Sequence, residues 1–158
     1  MRHPWPSGIP RLTYGITPPK VNYDAERRAR LAARQAERIR DLPVDALVVY
    51  DLQDESSRTD VPRPFPFMEA VDPLEYATED LGQLDLQRVV YKSVAKVRPA
   101  EMRAWMQRAL GHAVSTVFVG APSRDATVLL HLSEAYNLRS RHAADLRLGG
   151  VAIPERHR

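Results

Sequence analysis

The chain reads as an α/β protein. Three observations carry that reading. Apolar runs without strict alternation recur five times, segments of helical periodicity separate them, and Pro or Gly punctuates the joins. Such strands belong to a parallel sheet covered by helices, and each crossover is expected to be right-handed. The 158 residues fit one domain. Hydrophobic residues make up 44% and charged residues 27%, the mix of a soluble globular protein. There is no Cys, which removes disulfides, thiolate chemistry and Cys-ligated metals. No apolar run reaches the length of a membrane span and the N-terminus has no signal-peptide core. A cytoplasmic enzyme or binding module is therefore expected, with no membrane partner. The net charge of +3 comes from Arg residues interleaved with acids. That pattern describes solvated helix faces and not a nucleic-acid surface.

Each element follows in order. Residues 1–10 hold three prolines and no periodicity, so they read as an arm ahead of a domain over 11–158. Residues 11–17 (RLTYGIT) form a short strand stopped by Pro18-Pro19. A long helix follows over 22–42, capped by Asn22, with Ala25, Ala29, Ala32, Ala33, Ala36 and Ile39 as a small-residue stripe. Pro43 ends it. The second strand is 46–52 (ALVVYDL), and the loop after it, 53–71, mixes acids, Arg, Pro and aromatics. A loop of that length in a compact domain is usually functional, and Phe65, Phe67 and Met68 predict that it packs. Asp72-Pro73 starts a helix to about residue 81, with Pro at the first helical position.

The unit then repeats. Residues 88–94 (RVVYKSV) are a strand and 99–110 a helix with Met102, Trp105, Met106 and Leu110 inward. Residues 116–119 (TVFV) are a strand, about 126–142 a helix, and 149–153 the fifth strand. This element order leaves two architectures open, an open doubly wound sheet or a (β/α)8 barrel present only to its fifth strand. A dinucleotide fingerprint is absent, since Thr17-Pro18-Pro19-Lys20 stands where G-x-G-x-x-G would follow the first strand, and no phosphate-binding P-loop is present.

In such folds ligand sites gather at the C-terminal ends of strands. Those ends are Gly15 to Lys20, Tyr50 to Asp54, Lys92 and Ser93, Gly120 to Ser123, and Ile153 to His157; the loop after the second strand adds Glu55, Arg58 and Thr59. His157 is the only His among them, so no metal pattern is present. Gly120 lets backbone approach a ligand closely, or is an ordinary strand-to-helix turn. Lys92 faces a phosphate or carboxylate, or caps the sheet. Asp51 and Asp54 accept hydrogen bonds from a heterocycle, or cap the loop that follows.

Taken together, these strand ends resemble the methylenetetrahydrofolate reductase family. Tyr14-Gly15-Ile16-Thr17-Pro18-Pro19-Lys20 is similar to the family's aromatic–Glu–aromatic–aromatic–Pro–Pro–Lys segment. Val49-Tyr50-Asp51 with Ser57-Arg58-Thr59 resembles its Thr-Tyr-Gly segment and downstream Arg-Thr. Val119-Gly120-Ala121 resembles its Arg-Gly-Asp, and residues 150–157 (GVAIPERH) its Gly-Val-Ala-x-Tyr-Pro-Glu-x-His. The resemblance implies a TIM-type (β/α)8 barrel of which about the first five β/α units are present. It implies flavin- and NAD(P)H-dependent reduction of methylenetetrahydrofolate, with FAD contacts at Tyr50, Arg58, Thr59, Gly120, Ile153 and His157 and a folate-type substrate.

The departures from the family are specific. Its acid/base Glu falls on Gly15 and its flavin-facing Asp on Ala121, while the Arg before that Asp falls on Val119. The catalytic residue is therefore unassigned, with Asp51, Glu55 and Lys92 as candidate replacements. These losses carry the alternative reading: a catalytically impaired barrel relative, or an inactive fragment, that binds a folate-like ligand or a partner subunit. Exposed barrel edges would then pair copies of the chain into a homo-oligomer.

Overall fold

The computed structural model describes residues 12–54, 64–123 and 125–151. Five strands, β1 (Thr13–Ile16), β2 (Ala46–Val49), β3 (Gln87–Ser93), β4 (Ser115–Val119) and β5 (Arg147–Gly149), form one sheet in the order β1-β2-β3-β4-β5. Every pairing is parallel. Helices α1 (Ala25–Arg40), α2 (Pro73–Glu75), α3 (Pro99–Gly111) and α4 (Leu132–His142) lie between them, and α2 continues as a π-helical turn, Tyr76–Asp80. The α/β class is as expected. The (β/α)8 barrel is not: the sheet is open, and among the described residues β1 pairs only with β2 and β5 only with β4. A barrel abolishes sheet edges by pairing its last strand with its first, and no such pairing exists among the described residues. The doubly wound alternative also fails, because its strand order reverses about a switch point whereas this order is sequential.

Sequential order with right-handed crossovers sends every helix to the same side of the sheet. The strand register agrees. Ile16, Leu47, Val49, Val90 and Phe118 share one face, and all of them join Ala32, Ala36, Ile39, Met102 and Met106 in a single core. On the opposite face Val48, Val89, Tyr91 and Val119 are half-buried and Gly15 is exposed. The apolar runs that read as doubly covered strands thus have helices on one side only.

Local chemistry explains the helix boundaries. Asp24, not Asn22, caps α1, its carboxylate accepting from Arg27 N–H at 2.7 Å. The helix buries Ala32, Ala36 and Ile39, so the small-residue stripe is real in its second half, while Ala25, Ala29 and Ala33 are exposed. In α3 Glu101 reaches back to the Arg98 N–H at 2.8 Å, and in α4 Glu134 does the same to the His131 N–H at 2.8 Å. α4 begins at Leu132 and not near residue 126, because residues 125–131 are drawn toward the end of β3 by the Leu129 N–H to Ala95 carbonyl bond of 2.7 Å. The fifth strand lies at Arg147–Gly149, earlier than the expected 149–153.

Arg88 closes the turn after α2. Its guanidinium donates to the carbonyls of Ala77, Leu81, Gly82, Leu84 and Leu86 at 2.8–3.3 Å, using donors that would otherwise be buried without partners. Burial lowers its pKa from the ordinary value, and nearby Asp85 works against that shift. Arg28 on α1 faces the π turn, donating to Glu75 at 2.6 Å and to Asp80 at 2.5–3.0 Å. The Asp80 hydrogen bonds raise its pKa further above the ordinary value, against its partial burial, and Glu75 adds to the rise. No helix among the described residues is long and apolar enough to cross a membrane.

Candidate functional site

The C-terminal strand ends do build a concavity. A cleft of about 490 Å³ opens where the chain leaves β2, β3 and β4, within the size range of small-molecule sites. Three ties shape it. Lys20 and Ala70 form an antiparallel bridge, flanked by Val21 N–H to Glu69 carbonyl and Val71 N–H to Pro19 carbonyl, both 2.9 Å. That short ladder fixes the end of the long loop, so Phe67 and Glu69 line the cleft wall beside β1. Gln53 donates its amide to the Gly120 carbonyl at 3.2 Å and spans from the end of β2 to the end of β4. The Leu129 to Ala95 bond holds the opposite wall, where Thr127 stands.

Three charged residues line the cleft, Glu69, Asp54 and Lys96. Glu69 is exposed on the β1 side, and its carboxylate has no partner among the described residues. Asp54 lies at the end of β2. Lys96 ends the 3₁₀ turn Val94–Lys96 that follows β3. Its ammonium donates to Asp51 Oδ1 at 2.8 Å and to the Leu52 carbonyl at 3.3 Å. The Asp51 side chain is 4% exposed and also accepts the Ser93 N–H at 2.7 Å, so it is a fixed anchor beneath a more exposed cation. Leu52, Phe67 and Ala95 supply the apolar surface.

The residues singled out in the sequence fall in three places. Asp54 and Gln53 line the cleft, and Asp51 is buried beneath it against Lys96. Lys92 is on the helix-covered face, buried, with its ammonium 2.8 Å from Asp72 Oδ2 and 5.4 Å from the centre of the Trp105 ring. Tyr50 turns to the bare face, where its ring meets Tyr91 edge-on at 5.0 Å between centroids. It also covers Gly15 so closely that a Cβ there would sit 2.7 Å from Tyr50 Cε2. Burial pushes the Tyr91 hydroxyl pKa up, and Tyr50 adds to the rise. Glu55, Arg58, Thr59, Ile153 and His157 lie outside the described residues.

Sequence reasoning missed Glu69 and Lys96 as site residues. Lys96 stands two residues beyond the expected end of its strand, and Glu69 stands at the far end of a loop whose fold depends on the ladder to Lys20. Among the described residues no cluster of His, Asp and Glu could hold a metal ion. Of the six flavin contacts implied by the family resemblance, Tyr50 and Gly120 lie among the described residues. Tyr50 is packed over Gly15 and the Gly120 carbonyl accepts from Gln53, while Ala121 stands where the family has its flavin-facing Asp.

Solved structures are similar to the chain, one of them over nearly its whole length. That one is an uncharacterized protein from Clostridium thermocellum that binds two copies of 5-methyl-5,6,7,8-tetrahydrofolic acid. The likeness has 40% sequence identity and a TM-score of 0.75, and it covers 93% of this chain and 45% of that one. The chain thus spans less than half the length of that protein. No family model matches the chain, and no curated protein matches it.

Proposed function

We propose that the chain binds a reduced folate of the 5-methyltetrahydrofolate type in the strand-end cleft, as a binding module and not as a flavin-dependent reductase. The observation that carries this reading is the 40% identity, across 93% of the chain, to a protein that binds that ligand. The chemistry of the cleft supports it. A reduced pterin presents an amino group beside a ring N–H, a donor pair that a carboxylate accepts in two parallel bonds, and Glu69 places an exposed carboxylate in the cleft. Phe67 and Leu52 offer apolar surface to the rings.

The reductase reading lacks its proton donor. The family's acid falls on Gly15, and Tyr50 already fills the space above that glycine. Titrating 5-methyltetrahydrofolate into the full chain by calorimetry tests the proposal. Saturable binding that Glu69→Gln weakens about tenfold, the loss of one charge-assisted hydrogen bond, is the expected result. No binding at millimolar ligand would overturn it.

A further inference from the structure

We propose that Lys96 sets specificity in this cleft by taking the carboxylates of the ligand's glutamyl tail, with Asp51 as its positioning residue; this rests on the folate-binding reading above. The cleft holds charges of both signs, Glu69 beside the ladder that follows β1, Asp54 in the segment after β2 and Lys96 after β3. Glu69 is held on the β1 side by the Val21 backbone, whereas Lys96 rises from the end of β3. A reduced folate has two unlike ends: a donor-rich pterin at one, an uncharged benzoyl ring between, and an anionic glutamate at the other. Seated with its pterin at Glu69, the ligand runs across Leu52 and Ala95 and brings its carboxylates to the β3 side.

Lys96 is built to receive them. An ammonium has three donors, and the two described bonds, to Asp51 and to the Leu52 carbonyl, use two of them. The remaining N–H is available to an anion at the cleft. Both bonds pin a long flexible side chain before ligand arrives, which lowers the ordering cost of binding. Asp51 can hold this position because it is itself fixed by the Ser93 N–H and almost fully buried. Lys96 keeps 37% of its side chain exposed, so it is reachable.

The test compares two ligands, 5-methyltetrahydrofolate and a tetrahydropterin that lacks the benzoylglutamate tail. Calorimetry on the full chain measures both against wild type, Lys96→Met and Lys96→Arg. Lys96→Met is expected to lose about tenfold or more in affinity for the folate while tail-free pterin binding moves less than twofold. Lys96→Arg recovers most of the loss, and folate affinity falls with added salt more steeply in wild type than in Lys96→Met. If Lys96→Met weakens both ligands equally, or neither, the assignment of Lys96 is overturned while the folate reading stands. If wild type binds neither ligand, the folate reading itself fails.

Discussion

Replacing Asp72 with Ala should cost the fold more than any other single carboxylate change among the described residues. Its carboxylate takes four hydrogen bonds: Leu74 N–H at 3.0 Å, Glu75 N–H at 3.3 Å, Trp105 Nε1 at 3.2 Å and Lys92 Nζ at 2.8 Å. The Lys92 side chain is only 8% exposed, so Asp72→Ala strands a buried ammonium. Stranding one partner of a buried pair costs roughly 3–5 kcal/mol, and a lost N-cap costs about 1 kcal/mol more. A loss of ~5 kcal/mol takes a large share of the 5–15 kcal/mol that ordinarily holds a domain together.

Lys92→Met keeps the stem and removes the charge, so it should cost far less. The double variant should recover about 2–4 kcal/mol relative to Asp72→Ala, since replacing both partners of a buried pair is often neutral. Urea unfolding of the four proteins measures this. An Asp72→Ala loss below about 1 kcal/mol, or a double variant no more stable than Asp72→Ala, would refute the reasoning. The pH dependence has a fixed sign. Burial raises the Asp72 carboxyl, but Lys92 and the N–H donors outweigh it and leave the pKa below the ordinary 3.8. A depressed carboxyl contributes stability above its unfolded value and loses it as pH falls through the folded one. Wild type should therefore lose stability below about pH 4 through this group, and Asp72→Asn should not show that component.

Three further outcomes follow from particular residues. Tyr76 is fully buried, its hydroxyl donates to Gln35 at 2.6 Å, and burial together with Asp80 pushes its pKa up from 10.0 to about 12 against the pull of Arg28. A raised pKa gives stability that is present below pH 10 and lost as pH climbs toward 12, so Tyr76→Phe should flatten the alkaline part of the stability curve. Ala113 follows α3 with φ of 53°, a left-handed conformation that favours glycine. Ala113→Gly should stabilise by about 0.5–1 kcal/mol in thermal or urea unfolding, and a loss would contradict the strain argument. Gly15→Ala should destabilise by about 1 kcal/mol because the new methyl meets the Tyr50 ring, and the cost should vanish in a Tyr50→Ala background.

How much of this was legible in the sequence depends on whether a signal was local. The α/β class, the small-residue stripe of α1, the Pro at the start of α2 and the inward Met102, Trp105 and Met106 of α3 all rest on spacing within one element. Sheet closure does not. Val48, Val89 and Val119 on the bare face have the same composition as strand residues covered on both sides, so apolarity alone could not separate an open sheet from a barrel. Arg28 and Lys92 illustrate a second limit. Each looks like a surface or site cation in one dimension, and each is matched by a carboxylate distant in sequence, Asp80 at 52 residues and Asp72 at 20. The site was half legible. The strand-end rule located the cleft through Asp51, Gln53 and Asp54. Glu69 and Phe67 reach it only through the Lys20–Ala70 bridge, and Lys96 only through the turn after β3.

Under the proposed function a reduced folate occupies the cleft between β2, β3 and β4. Backbone amide shifts of the labelled chain, followed while 5-methyltetrahydrofolate is added, test it most directly. Saturable shifts are expected at Leu52, Gln53, Asp54, Phe67, Glu69, Ala95, Lys96 and Thr127, with the Lys92–Asp72–Trp105 cluster unmoved. Shifts confined to the bare sheet face around Gly15 and Tyr91, or no shifts at millimolar ligand, would contradict it.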